Sequence, residues 1–240
     1  MKKIISTLLI ITLLAASVCS LCACDFFALD FFDEPLGIGA SKHYGERSVE
    51  GKTLRYAKIV VKDYGSIVLL LEESTAPITV NNFLDLANAG FYDNLTFHRV
   101  MANFMIQGGD PLANGTGGAD NDIVGEFLYN GYYNDLSHLY GTISMARNGY
   151  SYNSASSQFF ICNADAQLSL DYLYASFGYV IAGMSVVDAI TDDTAYLGQY
   201  QNGAISDKNL QPVIRRIREI SYAEACELVP SLKNVVGEVN

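Results

Sequence analysis

Residues 57–74 read AKIVVKDYGSIVLLLEES, and this stretch restricts the fold more tightly than any other. Two β-rich runs flank Asp-Tyr-Gly-Ser, a turn composition, so the segment predicts a hairpin. In the second run Ile67, Leu69 and Leu71 share one face of a strand, while Val68 and Leu70 share the other. A strand that is apolar on both faces must be covered on both. The next segment, APITVNNFLDLANAGF, offers a cover. Pro77 suits a first helical turn, and Val80, Phe83, Leu84 and Ala87 follow at i, i+3, i+4 and i+7. Gly90 stands where a helix-ending glycine would. This helix is therefore expected to lie over the outer face of the second strand.

Beyond it come short strand-like runs separated by Gly-, Asn- and Asp-rich loops, with a second helix expected in GMSVVDAITDD. The pattern is mainly β with two helices, and closing such strands into a barrel would remove exposed edges. Tyr222 to Asn240 reads as an add-on helix or a frayed end.

The N-terminus reads as a targeting segment. Lys2 and Lys3 precede the apolar run IISTLLIITLLAASV, which is shorter than the roughly 20 residues of a membrane-spanning helix. The run ends in SLCAC, where Leu21-Cys22-Ala23-Cys24 resembles a bacterial lipobox. On this reading residues 1–23 are a leader and Cys24 is lipidated, which makes the protein an extracytoplasmic, membrane-anchored bacterial lipoprotein. The alternative is an ordinary cleaved signal and a free secreted protein. Residues 24–52 then form an acidic, Phe-rich tether without sustained periodicity.

Net charge is −11 and becomes more negative once Lys2 and Lys3 leave with the leader. Such a balance argues against nucleic acid as a partner and against broad attraction to anionic membrane surfaces. Of five cysteines, three lie in or at the leader. Cys162, in QFFICNA, reads as a small buried hydrophobe, and nothing supports a bridge from it to Cys226.

Residues 91–111, FYDNLTFHRVMANFMIQGGDP, raise a different question, because Arg and Gln in an apolar segment must find hydrogen-bond partners. Strand alternation places Arg99 with Phe97 and Leu95, and turns His98 the other way. It pairs Met105 with Gln107, opposite Phe104 and Ile106. In SSQFFIC it pairs Gln158 with Phe160, opposite Phe159 and Ile161. Three segments could thus build one shallow apolar pocket with a few fixed donors, a description that fits a peptide-binding groove. His98 reads as a satisfied structural histidine. With His43 in the tether and His138 far along the chain, no metal cluster is apparent. GGDPLANGTGG lacks the Gly-Lys-Ser/Thr ending of a phosphate loop and the ligand pattern of a calcium loop.

In order and spacing, FHRV, FMIQGGDP, NGTGG, GTISMAR, SASSQFFI and FGYV resemble the cyclophilins, a family of peptidyl-prolyl cis–trans isomerases. The match runs from about Leu54 to about Ser221, giving an isomerase domain of residues 53–222 and a C-terminal extension of 223–240. The longer MARNGYSYNSASSQF loop looks like the bacterial branch. The resemblance implies a closed eight-stranded antiparallel barrel capped by two helices, acting as a monomer on Xaa-Pro segments of exported polypeptides without a cofactor. Arg99 matches the catalytic arginine. Phe104, Met105 and Phe160 match the walls of the proline pocket, Gln107 and Gln158 the polar groups beside it, and Leu170 a further wall. Ala146 and Arg147 match the stretch that holds substrate through main-chain atoms, which would leave the Arg147 side chain little part. Tyr174 stands where many members have a histidine, and Ser169 where a tryptophan helps to bind cyclosporin. A non-catalytic proline-peptide binding module, or a surface adhesion protein, on the same fold is the other reading.

Overall fold

The computed structural model describes residues 48–198 and 201–236. The leader, Cys24, His43 and nearly all of the tether lie outside the described residues. Eight antiparallel strands form one curled sheet in the order β3-β4-β6-β5-β7-β2-β1-β8. In chain order these are β1 (Leu54–Val61), β2 (Gly65–Glu72), β3 (Phe97–Met101), β4 (Met105–Gly108), β5 (Thr142–Met145), β6 (Phe159–Cys162), β7 (Ser176–Ala182) and β8 (Ile214–Ile220). The hairpin forms as its sequence predicts, with Asp63 and Gly65 at positive φ in the turn.

The expected closed barrel lacks a continuous ladder between β3 and β8. Their seam is a bridge from Thr96 to Val213, flanked by Asn94 N–H to Ile214 O at 2.8 Å and Phe97 N–H to Pro212 O at 2.9 Å. Pro212 has no N–H to donate, so β8 begins only beyond it.

Five α-helices occur among the described residues, rather than two. They are α1 (Pro77–Asn88), α2 (Gln167–Leu170), α3 (Met184–Thr194), α4 (Tyr222–Leu228) and α5 (Leu232–Val236). The C-terminus of α1 is closed by Gly90 at φ 74°, with Gly90 N–H on Ala87 O and Phe91 N–H on Leu86 O. Its N-terminus has no local side-chain cap. Instead Glu126 accepts from Ile78 N–H at 3.0 Å and from Thr79 N–H at 2.8 Å.

Contrary to expectation, helix α1 does not cover the outer face of β2 but packs on its interior face. Val80, Phe83, Leu84 and Ala87 of α1 join Ile67, Leu69 and Leu71 in the interior cluster, where Phe83 packs edge-on against Phe159 at 5.5 Å. Helix α3 feeds the same cluster through Met184, Val187 and Ile190. Val68 and Leu70 face the other way, into a second cluster with Tyr179, Ile181, Ile220, Ala225, Cys226, Val229 and Leu232. The cover is thus α4 and α5, which belong to the packed structure rather than to a frayed end. Val49, near the end of the tether, is buried in that cluster too. Cys162 and Cys226 are both buried and free, in separate clusters.

Candidate active site

On the outer face of β3, β4 and β6, Met105, Phe160, Cys162, Ala166 and Leu170 form a small apolar floor, with Met101, Phe104, Ala146 and Tyr174 packed against it. Pairing of Gln107 with Arg99 on one side and with Phe160 on the other sets these side chains across neighbouring strands. Met105, Gln107 and Phe160 share this face, as alternation predicts, while Ile106, Phe159 and Ile161 point into the interior cluster.

Arg99 reaches the same face by a different route. Expected to share a face with Phe97, it does not, because Phe97 is buried in the interior beside Phe159. Phe97 pairs with Gly108 and Arg99 with Gln107, so His98 is an extra residue in the strand. This β-bulge flips the alternation and turns the guanidinium outward. His98 is itself buried, and neither ring nitrogen has a protein partner, contrary to the expectation of a satisfied histidine. Burial lowers its pKa, and the nearby Asp110 only partly opposes this.

The Arg99 guanidinium is held from three sides. Nε donates to Asn202 O at 2.7 Å and Nη1 to Gln107 Oε1 at 3.0 Å, while Nη2 lies 3.0 Å from Met101 Sδ. The Phe104 ring centroid is 6.0 Å from the guanidinium carbon. Gln107 Nε2 passes the chain on to Gln158 Oε1 at 2.9 Å, and Gln158 Nε2 ends it on Gly117 O at 2.7 Å. Burial lowers the Arg99 pKa and Tyr174 opposes this, but a guanidinium remains charged in proteins.

The loop that receives Gln158 is organised by Asp110. Its carboxylate accepts N–H groups from Leu112 at 2.7 Å, Asn114 at 3.0 Å and Gly115 at 2.6 Å. Burial raises its pKa, but these bonds and the Gly117 N–H outweigh that and hold it below the usual value. A Cβ on Gly117 would stand 2.1 Å from Asp110 Oδ1, so the close approach requires glycine. Beside this loop lies a cavity of about 360 Å³, lined by Gln107, Gly117, Asp122, Ala146, Arg147 and Gln158.

A family model described as cyclophilin type peptidyl-prolyl cis–trans isomerase matches residues 56–218. The chain belongs to the cyclophilin family. Similar proteins include peptidyl-prolyl cis-trans isomerase A of Dickeya dadantii, 43% identical over 143 residues that cover 58% of this chain and 73% of that protein. A Helicobacter pylori peptidyl-prolyl cis-trans isomerase is 40% identical over 62% of this chain and 88% of its own length. A solved cyclophilin type isomerase from Cryptosporidium parvum, 28% identical, superposes with a TM-score of 0.61 over 70% of this chain and 99% of its own. A further structure of that protein, obtained in the presence of the dipeptide Ala-Pro, gives a TM-score of 0.60. This cyclophilin is a peptidyl-prolyl cis–trans isomerase.

Sequence reasoning missed several residues that shape this candidate site. Asn163 Oδ1 accepts the Phe104 N–H at 2.6 Å while its Nδ2 donates to Met101 O at 3.0 Å, which holds the turn between β3 and β4. His138 stacks on Phe160 with ring centroids 6.0 Å apart. Its Nδ1 meets Asp171 Oδ1 at 2.8 Å and its Nε2 meets Ser144 Oγ at 2.9 Å. Burial raises the Asp171 pKa, but hydrogen bonds led by the His138 ring overcome this and leave it lowered. Asp171 lies 33 residues from His138, and Asn163 lies 59 from Phe104, so no local pattern announces these contacts.

Proposed function

We propose that this cyclophilin turns Xaa-Pro bonds in exported polypeptides, outside the cytoplasm of a bacterium, as a monomer held to the membrane by lipid on Cys24. The observation that carries the catalytic half is the Arg99–Gln107–Gln158 chain standing beside the Met105–Phe160–Leu170 floor. The Ala-Pro dipeptide present with the Cryptosporidium relative supports the Xaa-Pro class. The leader and the Leu21-Cys22-Ala23-Cys24 run support the location.

Rotation about a prolyl bond crosses a barrier of about 18–20 kcal/mol because amide resonance is lost on the way. Uncatalysed, it takes tens of seconds or more, long enough to delay folding. In the twisted state the proline nitrogen becomes pyramidal and regains a lone pair. A guanidinium N–H donated to that nitrogen favours the twisted state over the planar one, which is what catalysis requires. Arg99 suits this work because Nε and Nη1 anchor it on oxygens, while the N–H groups beside Met101 and Met105 face only weak sulfur acceptors. Those donors can be surrendered to a stronger acceptor. Met105, Phe160 and Phe104 would grip the proline ring, leaving the rest of the peptide to turn. The residues in this scheme call for no metal or covalent intermediate.

A protease-coupled assay on an Ala-Pro-containing peptide, wild type against Arg99→Ala, tests the catalytic half. Turnover is expected to collapse in the variant, and an undiminished rate in a folded variant would overturn the assignment. Membrane fractionation with mass spectrometry of the N-terminal peptide tests the anchor. A lipidated Cys24 is expected, whereas an unmodified protein in the soluble secreted fraction would rule it out.

A further inference from the structure

Arg147 was expected to contribute through its main chain alone, yet its side chain sits at a junction of three segments. The guanidinium carbon lies 4.6 Å from the Tyr174 ring centroid, 5.1 Å from that of Tyr152 and 5.4 Å from that of Phe127. Nε donates to Leu173 O at 3.1 Å and Nη1 to Asn148 O at 2.9 Å. One cation therefore ties the 148–154 loop, the Phe127 segment and the residues that lead into β7. Phe127 and Tyr152 also meet edge to face at 5.3 Å, so two walls of the cage brace each other.

Tyr174 is the third wall, and its other side belongs to the pocket. It meets Phe160 edge to face, with centroids 6.0 Å apart at 82°. The aromatic face has negative potential, which holds a guanidinium, and the planar group can stack where an ammonium cannot. Nε on Leu173 O fixes the backbone one residue before Tyr174, so ring and main chain are pinned by the same side chain.

We propose that Arg147 is a positioning residue for the isomerase site, holding Tyr174 against Phe160 and so setting the rim on which the peptide is gripped. This rests on the reading of the Phe160 floor as the proline pocket. Its effect falls on peptide affinity, because Tyr174 borders the site without donating to the reacting amide. Arg99 is held by hydrogen bonds to Gln107 and Asn202, whereas the hydrogen bonds of Arg147 go to Leu173 and Asn148.

The test is a double-mutant cycle on the full chain with an Ala-Pro peptide, reading KM and kcat separately. Loss of a cation–π contact predicts a rise in KM of about two- to thirty-fold for Arg147→Ala, with kcat much less changed. Arg147→Lys should recover only part of this, since it keeps the charge but loses the planar stack and the Nε bond. In a Tyr174→Ala background the Arg147→Ala change should add nothing further. An equal KM penalty from Arg147→Ala with and without Tyr174 would overturn the proposal, as would a wild-type KM in either Arg147 variant. If Tyr174→Ala alone leaves KM untouched, the pocket reading fails instead, and the proposal falls with it. Should Arg147→Ala not fold, Arg147→Lys carries the same cycle.

Discussion

Two parts of one sheet treat their outer faces differently. Over β1, β2, β7 and β8 that face is made of Tyr56, Val68, Leu70, Tyr179, Ile181 and Ile220, and α4 and α5 bury it. Over β3, β4 and β6 it mixes Met105 and Phe160 with Arg99, Gln107 and Gln158, which remain partly exposed. Both parts follow a two-residue alternation, interrupted in β3 by the bulge at His98. The difference lies in hydrogen-bonding demand: the helices over the first part cover mainly apolar side chains and tyrosines, and α4 supplies Glu224 as a partner for the nearby Arg218. A helix laid over the second would strand guanidinium and amide donors, at a cost that the apolar contacts could not offset. In the open part those donors are chained to one another and to carbonyls, which keeps them aimed while leaving the surface available.

In stability, the covered part should dominate. Ending the chain at Ser221 strips the cover from Val68, Leu70, Tyr179, Ile181 and Ile220. Burial of a large apolar side chain is worth about 1.5–3 kcal/mol, and whole domains have only about 5–15 kcal/mol. The truncated chain is therefore expected to lose its cooperative urea transition in circular dichroism. A transition at the wild-type midpoint would show that α4 and α5 are dispensable and that the two parts are not built differently.

A smaller effect should come from Asp110, on the open side. Its pKa is depressed in the fold, so its contribution is complete above the unfolded value of about 3.9 and disappears as pH falls through the lower folded value. Asp110→Asn should be less stable at neutral pH and lose less between about pH 5 and pH 2 than wild type does. Urea midpoints across that range check this. Parallel acid profiles for the two proteins would mean that the carboxylate does not organise the Gly117 loop.

The hairpin, α1 with its glycine end, and the shared face of Met105, Gln107, Gln158 and Phe160 were legible because each depends on periodicity within one segment. Arg99 stood out because a guanidinium in an apolar segment must find partners, but its face was misread. Alternation put it beside Phe97, and the bulge at His98 reversed that, since one inserted residue shifts everything after it by a face. The cover over Val68 and Leu70 was misassigned to α1 because a pattern says that a face needs burying, not which element buries it. Glu126 at the start of α1 acts from 47 residues away, and Asn202 holds Arg99 from 103 away. Contacts of that range have no local signature. The Arg147 cage escaped for a related reason: its three rings come from three separate segments.

The central claim is that the donors left uncovered on β3 and β4 act on the twisted amide more than on the resting peptide. NMR exchange spectroscopy on an Ala-Pro peptide, with wild type and Arg99→Ala, reads interconversion rate and affinity together. Loss of one preorganised donor typically costs about 2.7–4 kcal/mol, or roughly a hundred- to a thousand-fold in rate. The expected result is a rate reduced on that scale with peptide affinity much less changed and the fold intact. Equal losses in rate and affinity would make Arg99 a binding group rather than a catalytic one, and an unchanged rate would contradict the claim outright.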